Sequence, residues 1–185
     1  IEALLNAETW FRRDRTPFRI LETELLPALS KARPDGRIKI WSAGCSTGQE
    51  AWSIAMAARE IGVDVDLVAT DLSQRAIEKA RSGLYTAFEI QRGLGVGQML
   101  RHFTETEQGW HASRELLRMV RYEVGNLLDP PPPGPFDLIL CRNLMLYYDV
   151  PVRRLAWLSR AESTLLQART DSEHSGQVPR WQDVL

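Results

Sequence analysis

The 185-residue chain is long enough for one domain with a substantial core. Its make-up, 44% hydrophobic and 25% charged, is that of a globular protein rather than a disordered or fibrous one. A net charge of −1 gives no global basic field of the kind nucleic-acid binding uses, and no apolar run approaches membrane-spanning length. No secretory signal pattern is read at the start. The two cysteines, Cys45 and Cys141, are both expected at strand ends. They read as free, buried thiols of a reducing compartment, with a disulfide left open if the two strands are neighbours, and they make no metal site.

The first segment with local character is Thr9 to Phe18. Arg12, Arg13, Arg15 and Arg19 crowd around Trp10, Phe11 and Phe18. This reads either as a solvated arginine face on aromatic anchors or as a site in which Arg13 turns inward, its rigid fork matched to a carboxylate. Residues 17–29 are expected to form a helix, with Pro17 at its start and Phe18, Leu21, Leu25 and Leu29 near helical spacing. Pro34-Asp35-Gly36 is a turn signal.

Ile38, Ile40 and Trp41 make a short buried strand. Gly44 and Gly48 then bracket small residues, so the chain can turn tightly and a ligand can approach the backbone. Ala51, Ile54, Ala55 and Ala58 recur at helical spacing behind Gln49 and Glu50. Strand, glycine loop and helix N-terminus form the cofactor-cradling unit of doubly wound α/β folds. A dinucleotide fingerprint fits poorly, because Ser46 and Gln49 occupy glycine places. The run Gly44-Cys45-Ser46-Thr47-Gly48 also matches a G-x-S-x-G nucleophile elbow. A class I methyltransferase loop fits as well, since it needs only one or two small residues beside the cofactor.

Val63, Val65, Leu67 and Val68 form a second strand ending at Asp71. An acid at that tip, about 20 residues past the loop, is placed to accept hydrogen bonds from ribose hydroxyls. A hydrolase has no use for it, and the elbow reading needs a histidine from His102, His111 or His174. Ser73 caps a helix over Gln74–Arg81 that ends at Gly83. The stretch 85–117 is irregular, broken by Gly93, Gly95, Gly97 and Gly109, with Met99, Leu100 and Phe103 suggesting a short helix. Val120–Val124 reads as a strand, followed by Gly125 and Asn126, where Asn126 suits a turn. Prolines between 130 and 135 make a stiff connector into Phe136–Cys141, an apolar run expected of a central parallel strand. Gly44, Asp71, Asn126 and Asn143 all fall at the carboxyl ends of strands, where open α/β sheets bind ligands. The expected fold is therefore α/β, a doubly wound and mostly parallel sheet, as one domain over 1–185. Beyond it, Val152–Trp157 fits a helix start, and Ser172–Gln177 is a polar stretch expected to be flexible.

Three stretches, Ile40–Glu50, Ala69-Thr-Asp-Leu-Ser73 and Cys141-Arg-Asn-Leu-Met-Leu-Tyr147, resemble the chemotaxis receptor glutamate methyltransferases, the CheR family. Thr9-Trp-Phe-Arg-Arg-Asp14 is similar to that family's Thr-x-Phe-Phe-Arg-Asp/Glu motif, and the likeness runs from about Glu8 to Val150. The resemblance implies a class I, Rossmann-like methyltransferase that uses S-adenosylmethionine and leaves S-adenosylhomocysteine. Its substrate would be glutamate side chains in the cytoplasmic domain of a chemoreceptor. It further implies a cytoplasmic monomer without nucleic acid, metal or membrane insertion. Residue by residue, it implies cofactor contacts at Thr9, Arg13, Gly44, Glu50, Asp71, Asn126, Leu127, Arg142 and Asn143. It puts Arg13 and Tyr147 beside the transferred methyl group.

Glu50 equally reads as a carboxylate favoured by the helix dipole, and Tyr147 as a half-buried aromatic. Two departures stand out: Ala7 replaces a common asparagine, and Arg12 replaces the second phenylalanine. The resemblance also implies a small antiparallel subdomain within about 85–118 that docks a receptor; a plain lid or packing hairpin fits the stretch equally well. The family's N-terminal helical domain is expected to be absent, since the chain begins almost at the first motif. The two or more closing strands of the family fold are not read in the sequence. Ser159–Ser163 resembles a segment that should follow a later strand, so that either the chain diverges from the family here or residues near 158–159 are missing. A serine hydrolase using Ser46 and a non-catalytic S-adenosylhomocysteine-binding scaffold remain open as alternatives.

Overall fold

The computed structural model describes residues 8–143 and 165–166. Tyr147, the helix start at 152–157, the segment 159–163 and the polar stretch 172–177 lie outside these residues.

Five strands form a parallel sheet: β1 (Ile38–Ala43), β2 (Val65–Asp71), β6 (Val120–Val124), β7 (Leu138–Leu140) and β8 (Leu165–Leu166). Their order is β6-β2-β1-β7-β8, and every pairing is parallel. β1 is central because it is buried on both faces: Ile38 and Ile40 on one face are wholly inaccessible, and Trp41 and Ala43 on the other are 2% and 1% exposed. The chain runs outward from β1 through β2 to β6, then crosses back to β7 on the other side. The order thus reverses between β1 and β7, the place where such sheets open a crevice at their carboxyl ends. β8, a closing strand that the sequence did not disclose, pairs Ile139 with Leu165.

The helix over 17–29 is longer and less regular than its pattern predicts. α1 (Arg15–Ile20) passes through a π-helical turn (Leu21–Leu25) into α2 (Leu26–Ala32). The Leu26 N–H donates to the Leu21 carbonyl, five residues back. That wider turn stacks Leu21 and Leu26 on one face. Both are buried with Phe18, whereas Leu25 and Leu29 are only partly so. α3 (Gln49–Glu60) is buried around almost its whole circumference, including Trp52, Ile54 and Met56. It is a core helix between the sheet and α1. α4 (Gln74–Ser82) starts at Ser73, whose hydroxyl accepts the Ala76 N–H, and stops at Gly83 in the left-handed region, both as expected.

Between α4 and β6 lies a second, antiparallel sheet, ordered β3 (Leu84–Tyr85), β5 (Gly109–Ala112), β4 (Phe103–Thr106). It is flanked by α5 (Ala87–Gln91) and α6 (Val96–His102), and α7 (Arg114–Met119) returns the chain to the main sheet. Phe11 packs edge-on against Tyr85 and Phe103, with ring centres 5.1 and 5.5 Å away. This pins the N-terminal segment to the small sheet. Cys45 and Cys141 form no disulfide and are buried in separate apolar clusters on either side of the main sheet. No helix among the described residues is long and apolar enough to cross a membrane.

Candidate functional site

The carboxyl ends of β1, β2 and β6 are tied together at Asp71. The Gly44 and Cys45 N–H groups both donate to the Thr70 carbonyl, at 2.8 and 2.9 Å. The Ser46 N–H donates to Asp71 Oδ2 at 2.7 Å, and the Ser73 N–H to Oδ1 at 2.9 Å. The Gly125 N–H reaches the Asp71 carbonyl. One carboxylate therefore fixes the glycine loop and the start of α4, while each of its oxygens retains a second lone pair.

The loop owes its path to backbone conformation. Gly44 and Gly48 have φ of 80° and 97°, and Ser46 has 49°. A Cβ on Gly48 would lie 2.8 Å from the Ala80 Cβ and 3.0 Å from the Tyr85 hydroxyl. Gly48 is therefore bare to let α4 and the tyrosines close in, a correction to its reading as a ligand approach. Tyr85 donates to the Thr47 carbonyl at 2.7 Å and Tyr122 to the Gly48 carbonyl at 3.3 Å. Nothing in the local sequence marks these two tyrosines as supports of the loop.

Beside the loop, Glu50 in the first turn of α3 accepts a hydrogen bond from the Ser42 hydroxyl at 2.8 Å. Burial raises its pKa, against the opposing pull of Arg142, the Ser42 bond and Arg13. Arg142 follows β7, and its side chain is 1% exposed. Its Nη2 donates to the Arg13 carbonyl at 2.8 Å and to Asp14 at 2.9 Å, and its Nη1 lies 3.4 Å from Glu50 Oε2. Arg142 is thus the tie between the N-terminal segment and α3, and its buried Nε has no hydrogen-bond partner.

Arg13 is partly inward. Its Nη1 donates to the Glu8 carbonyl at 3.0 Å, and its buried Nε has no hydrogen-bond acceptor. The Arg13 guanidinium lies 4.3 Å from the Trp10 ring centre and that of Arg92 4.2 Å. Both arginines thus make cation–π contacts with the one Trp10 ring. Arg92 also pairs with the Glu8 carboxylate at 2.8 Å. Arg12, which departs from the resemblance, turns away instead and pairs with Glu22 and Glu60.

Of the remaining sequence candidates, Thr9 is half-buried just before Trp10. Asn126 makes the turn its residue type allows, its Oδ1 accepting the Leu128 N–H at 3.0 Å. Leu127 packs on the cluster of Trp41, Val68 and Phe136. Asn143 has a left-handed φ of 56° at the end of β7. Arg13, Gly44, Glu50, Asp71 and Arg142 are joined through the strand ends and the N-terminal segment, and Tyr147 lies outside the described residues.

Among the described residues no hydrolase centre assembles on Ser46. His102 bonds Glu60, the last residue of α3, at 3.0 Å. A helix of 12 residues puts that end about 18 Å from the loop at its start. His111 bonds the neighbouring Ala112 carbonyl. Cys45 is no nucleophile either, because burial, with Asp71 and Glu50 nearby, pushes its thiol pKa well up.

The family profile described as CheR methyltransferase, SAM binding domain, matches residues 7–167. The chain is 35% identical over 164 residues to Chemotaxis protein methyltransferase 1 of Pseudomonas aeruginosa, covering 83% of this chain and 60% of that protein. It is 33% identical over 175 residues to Chemotaxis protein methyltransferase Cher2 of Pseudomonas putida, covering 89% and 63%. It is 38% identical over 162 residues to the Probable biofilm formation methyltransferase WspC of Pseudomonas aeruginosa, covering 83% and 37%. The chain thus spans about three-fifths of the first two relatives and less of the third.

Proposed function

This chain belongs to the CheR methyltransferase family and carries its SAM-binding domain, and we propose that it is an S-adenosylmethionine-dependent O-methyltransferase acting on glutamate side chains of a chemoreceptor's cytoplasmic domain. The names of the relatives, both chemotaxis protein methyltransferases, support this reading. The observation that carries it is the gathering of Asp71, Glu50, Arg142 and Arg13 at the reversal point of the strand order.

The residues present fit the cofactor. Asp71 keeps acceptor capacity for a ribose diol after holding two backbone amides. Arg13 and Arg142 each present a buried Nε without an acceptor, which suits the carboxylate of an amino-acid moiety or of a substrate. Glu50 would face the cofactor's amino-acid end, with Thr9, Gly44 and Asn143 nearby, and Asn126 and Leu127 would serve the adenine. When bound, S-adenosylmethionine supplies an electrophilic methyl group on a sulfonium, and the transfer leaves S-adenosylhomocysteine and a glutamyl methyl ester.

The protein's task is then positional. A glutamate is ionised above its ordinary pKa of about 4.3, so no general base has to remove a proton. Arg13 would grip that carboxylate with its planar fork. Trp10, backed by Arg92, would limit the swing of Arg13, and close, collinear placement is worth large factors in rate. Tyr147 would hydrogen-bond beside the substrate.

The test is incubation with isotopically labelled cofactor and chemoreceptor cytoplasmic fragments. Label that leaves as methanol in alkali is the expected result. Base-stable label would exclude a carboxyl ester. Tight S-adenosylhomocysteine binding with no transfer to any fragment would mark a scaffold instead.

A further inference from the structure

A cavity of about 290 Å³ opens beside α1, lined by Arg12, Arg15, Phe18, Arg19 and Glu22 and, across from them, by residues of the small subdomain that include Gly95 and Gln98. The Arg12 guanidinium at its side is balanced by Glu22 at 2.6 Å and Glu60 at 3.0 Å. Arg15 and Arg19 are exposed, and neither side chain makes an ion pair or hydrogen bond among the described residues. Arg15 and Arg19 therefore stand on the cavity wall without an acidic partner of their own, while Glu22 on the same wall is taken up by Arg12.

The fold gains nothing from them. Like charges four residues apart repel on a helix surface. Arg15 also stands in the first turn of its helix, where the dipole disfavours a cation and no acidic residue is present. The opposite wall is left open, since a Cβ on Gly95 would meet nothing within 4 Å. The cavity also adjoins the proposed methyl-transfer site. Phe18 lines it, and the Arg142 guanidinium lies 5.4 Å from the centre of the same ring. Arg142 in turn holds the Arg13 carbonyl.

We propose that this cavity is a second carboxylate subsite, in which Arg15 and Arg19 bind acidic side chains of the substrate protein next to the glutamate presented to Arg13. The proposal rests on the glutamate-methylation reading and deepens it. The two arginines are one helical turn apart, about 6 Å along the axis, a spacing that matches carboxylates one turn apart on a substrate helix. Binding there would be a matter of charge and geometry, without a covalent step. It would act on capture of the substrate rather than on the transfer itself.

Two measurements test it on the full chain and on the double variant Arg15→Ala/Arg19→Ala. The first is fluorescence anisotropy with a labelled hexaglutamate peptide, which requires no methyl transfer. The wild type should bind at low salt and the variant at least about tenfold more weakly, with S-adenosylhomocysteine affinity and melting temperature unchanged. Equal peptide binding by the two proteins overturns the subsite, as does stronger wild-type binding of a single-stranded oligonucleotide of equal charge. The second is methyl transfer to chemoreceptor cytoplasmic fragments, where the variant should raise KM about tenfold and leave kcat within about twofold. A fall in kcat at constant KM overturns the proposal. If the peptide effect is present but the wild type transfers nothing to the fragments, the acidic subsite stands and the glutamate-methylation reading falls.

Discussion

Ser46 is held by Asp71: the backbone N–H at the bend of the glycine loop donates to Oδ2 across 2.7 Å, while Oδ1 takes the Ser73 N–H. The acid at the tip of β2 is therefore a structural support in its own right, in addition to the ribose contact proposed for it. Asp71→Asn keeps the shape but offers one acceptor oxygen for two amides, and its NH2 must face a donor. The expected loss of stability is about 1–3 kcal/mol, read by urea unfolding. S-adenosylhomocysteine binding should weaken by one to two orders of magnitude in calorimetry. A variant with native stability and affinity would show that neither role is real.

Gly48→Ala separates packing from ligand approach. The new methyl would lie 2.8 Å from the Ala80 Cβ at a φ of +97°, strained twice over. A loss of at least about 2 kcal/mol is expected. By contrast, Gly95→Ala meets nothing within 4 Å and should be close to neutral. Thermal melts of the two variants decide it, and similar melting temperatures would remove Gly48 from the packing of α4.

The contrast shows what the sequence could carry. The unit of β1, loop and α3, the acid ending β2, the Ser73 and Gly83 caps and the apolar run of β7 were all legible, because each is written within a few neighbouring residues. The π-helical turn was not, since only the long-range fit of Leu26 into the core distinguishes it from Leu25. The strands β3 to β5 are two to four residues long and take their identity from pairing across the chain. β8 is shorter than any periodicity can register. At the site, Glu50 and Asp71 were recognisable by position. The Arg142 tie to Asp14 and the Arg92 contact with Trp10 span large sequence separations and left no local mark.

His102 and Glu60 should set the acid limb of stability. The His102 side chain is 1% exposed and faces Glu60, Arg59 and Arg101. Burial, with the two arginines, lowers its pKa below 6.5, although Glu60 opposes this. The imidazole is thus neutral in the fold, and the unfolded chain binds the extra proton. Its contribution is complete above pH 6.5 and is lost as pH falls toward the folded value. Glu60 is lowered from 4.5 because the His102 bond, Arg12 and Gln98 outweigh burial, so its own contribution is lost only below pH 4.5. Glu50, whose pKa is raised, has the opposite sign, its contribution falling as pH rises above 4.5. The difference between wild type and His102→Gln isolates the imidazole. It should slope by at most about 1.4 kcal/mol per pH unit just below pH 6.5. A difference flat across that window would mean that His102 titrates alike in both states.

Arg13 offers the sharpest division between binding and transfer. Its guanidinium is fixed from three directions: the Glu8 carbonyl, the Trp10 face, and the Asp14 carboxylate 4.0 Å from Nε. Arg92 also contacts the Trp10 ring and bonds Glu8, so the small subdomain holds the arginine's support in place. Lysine keeps the charge but has neither the plane to stack nor the fork to grip a carboxylate. Arg13→Lys should therefore bind S-adenosylhomocysteine within a few-fold of wild type. It should lose about 100-fold in methyl transfer, because a small misplacement of the reacting groups suffices for that. Arg92→Ala removes a cation–π contact worth about 0.5–1 kcal/mol on a half-buried ring and should reduce transfer by about two- to fivefold while leaving Arg13 in reach. The measurement is alkali-volatile label transferred to chemoreceptor fragments by the three proteins side by side. The graded order wild type, Arg92→Ala, Arg13→Lys supports a positioned guanidinium. Transfer by Arg13→Lys at the wild-type rate would reduce Arg13 to one more member of the arginine face.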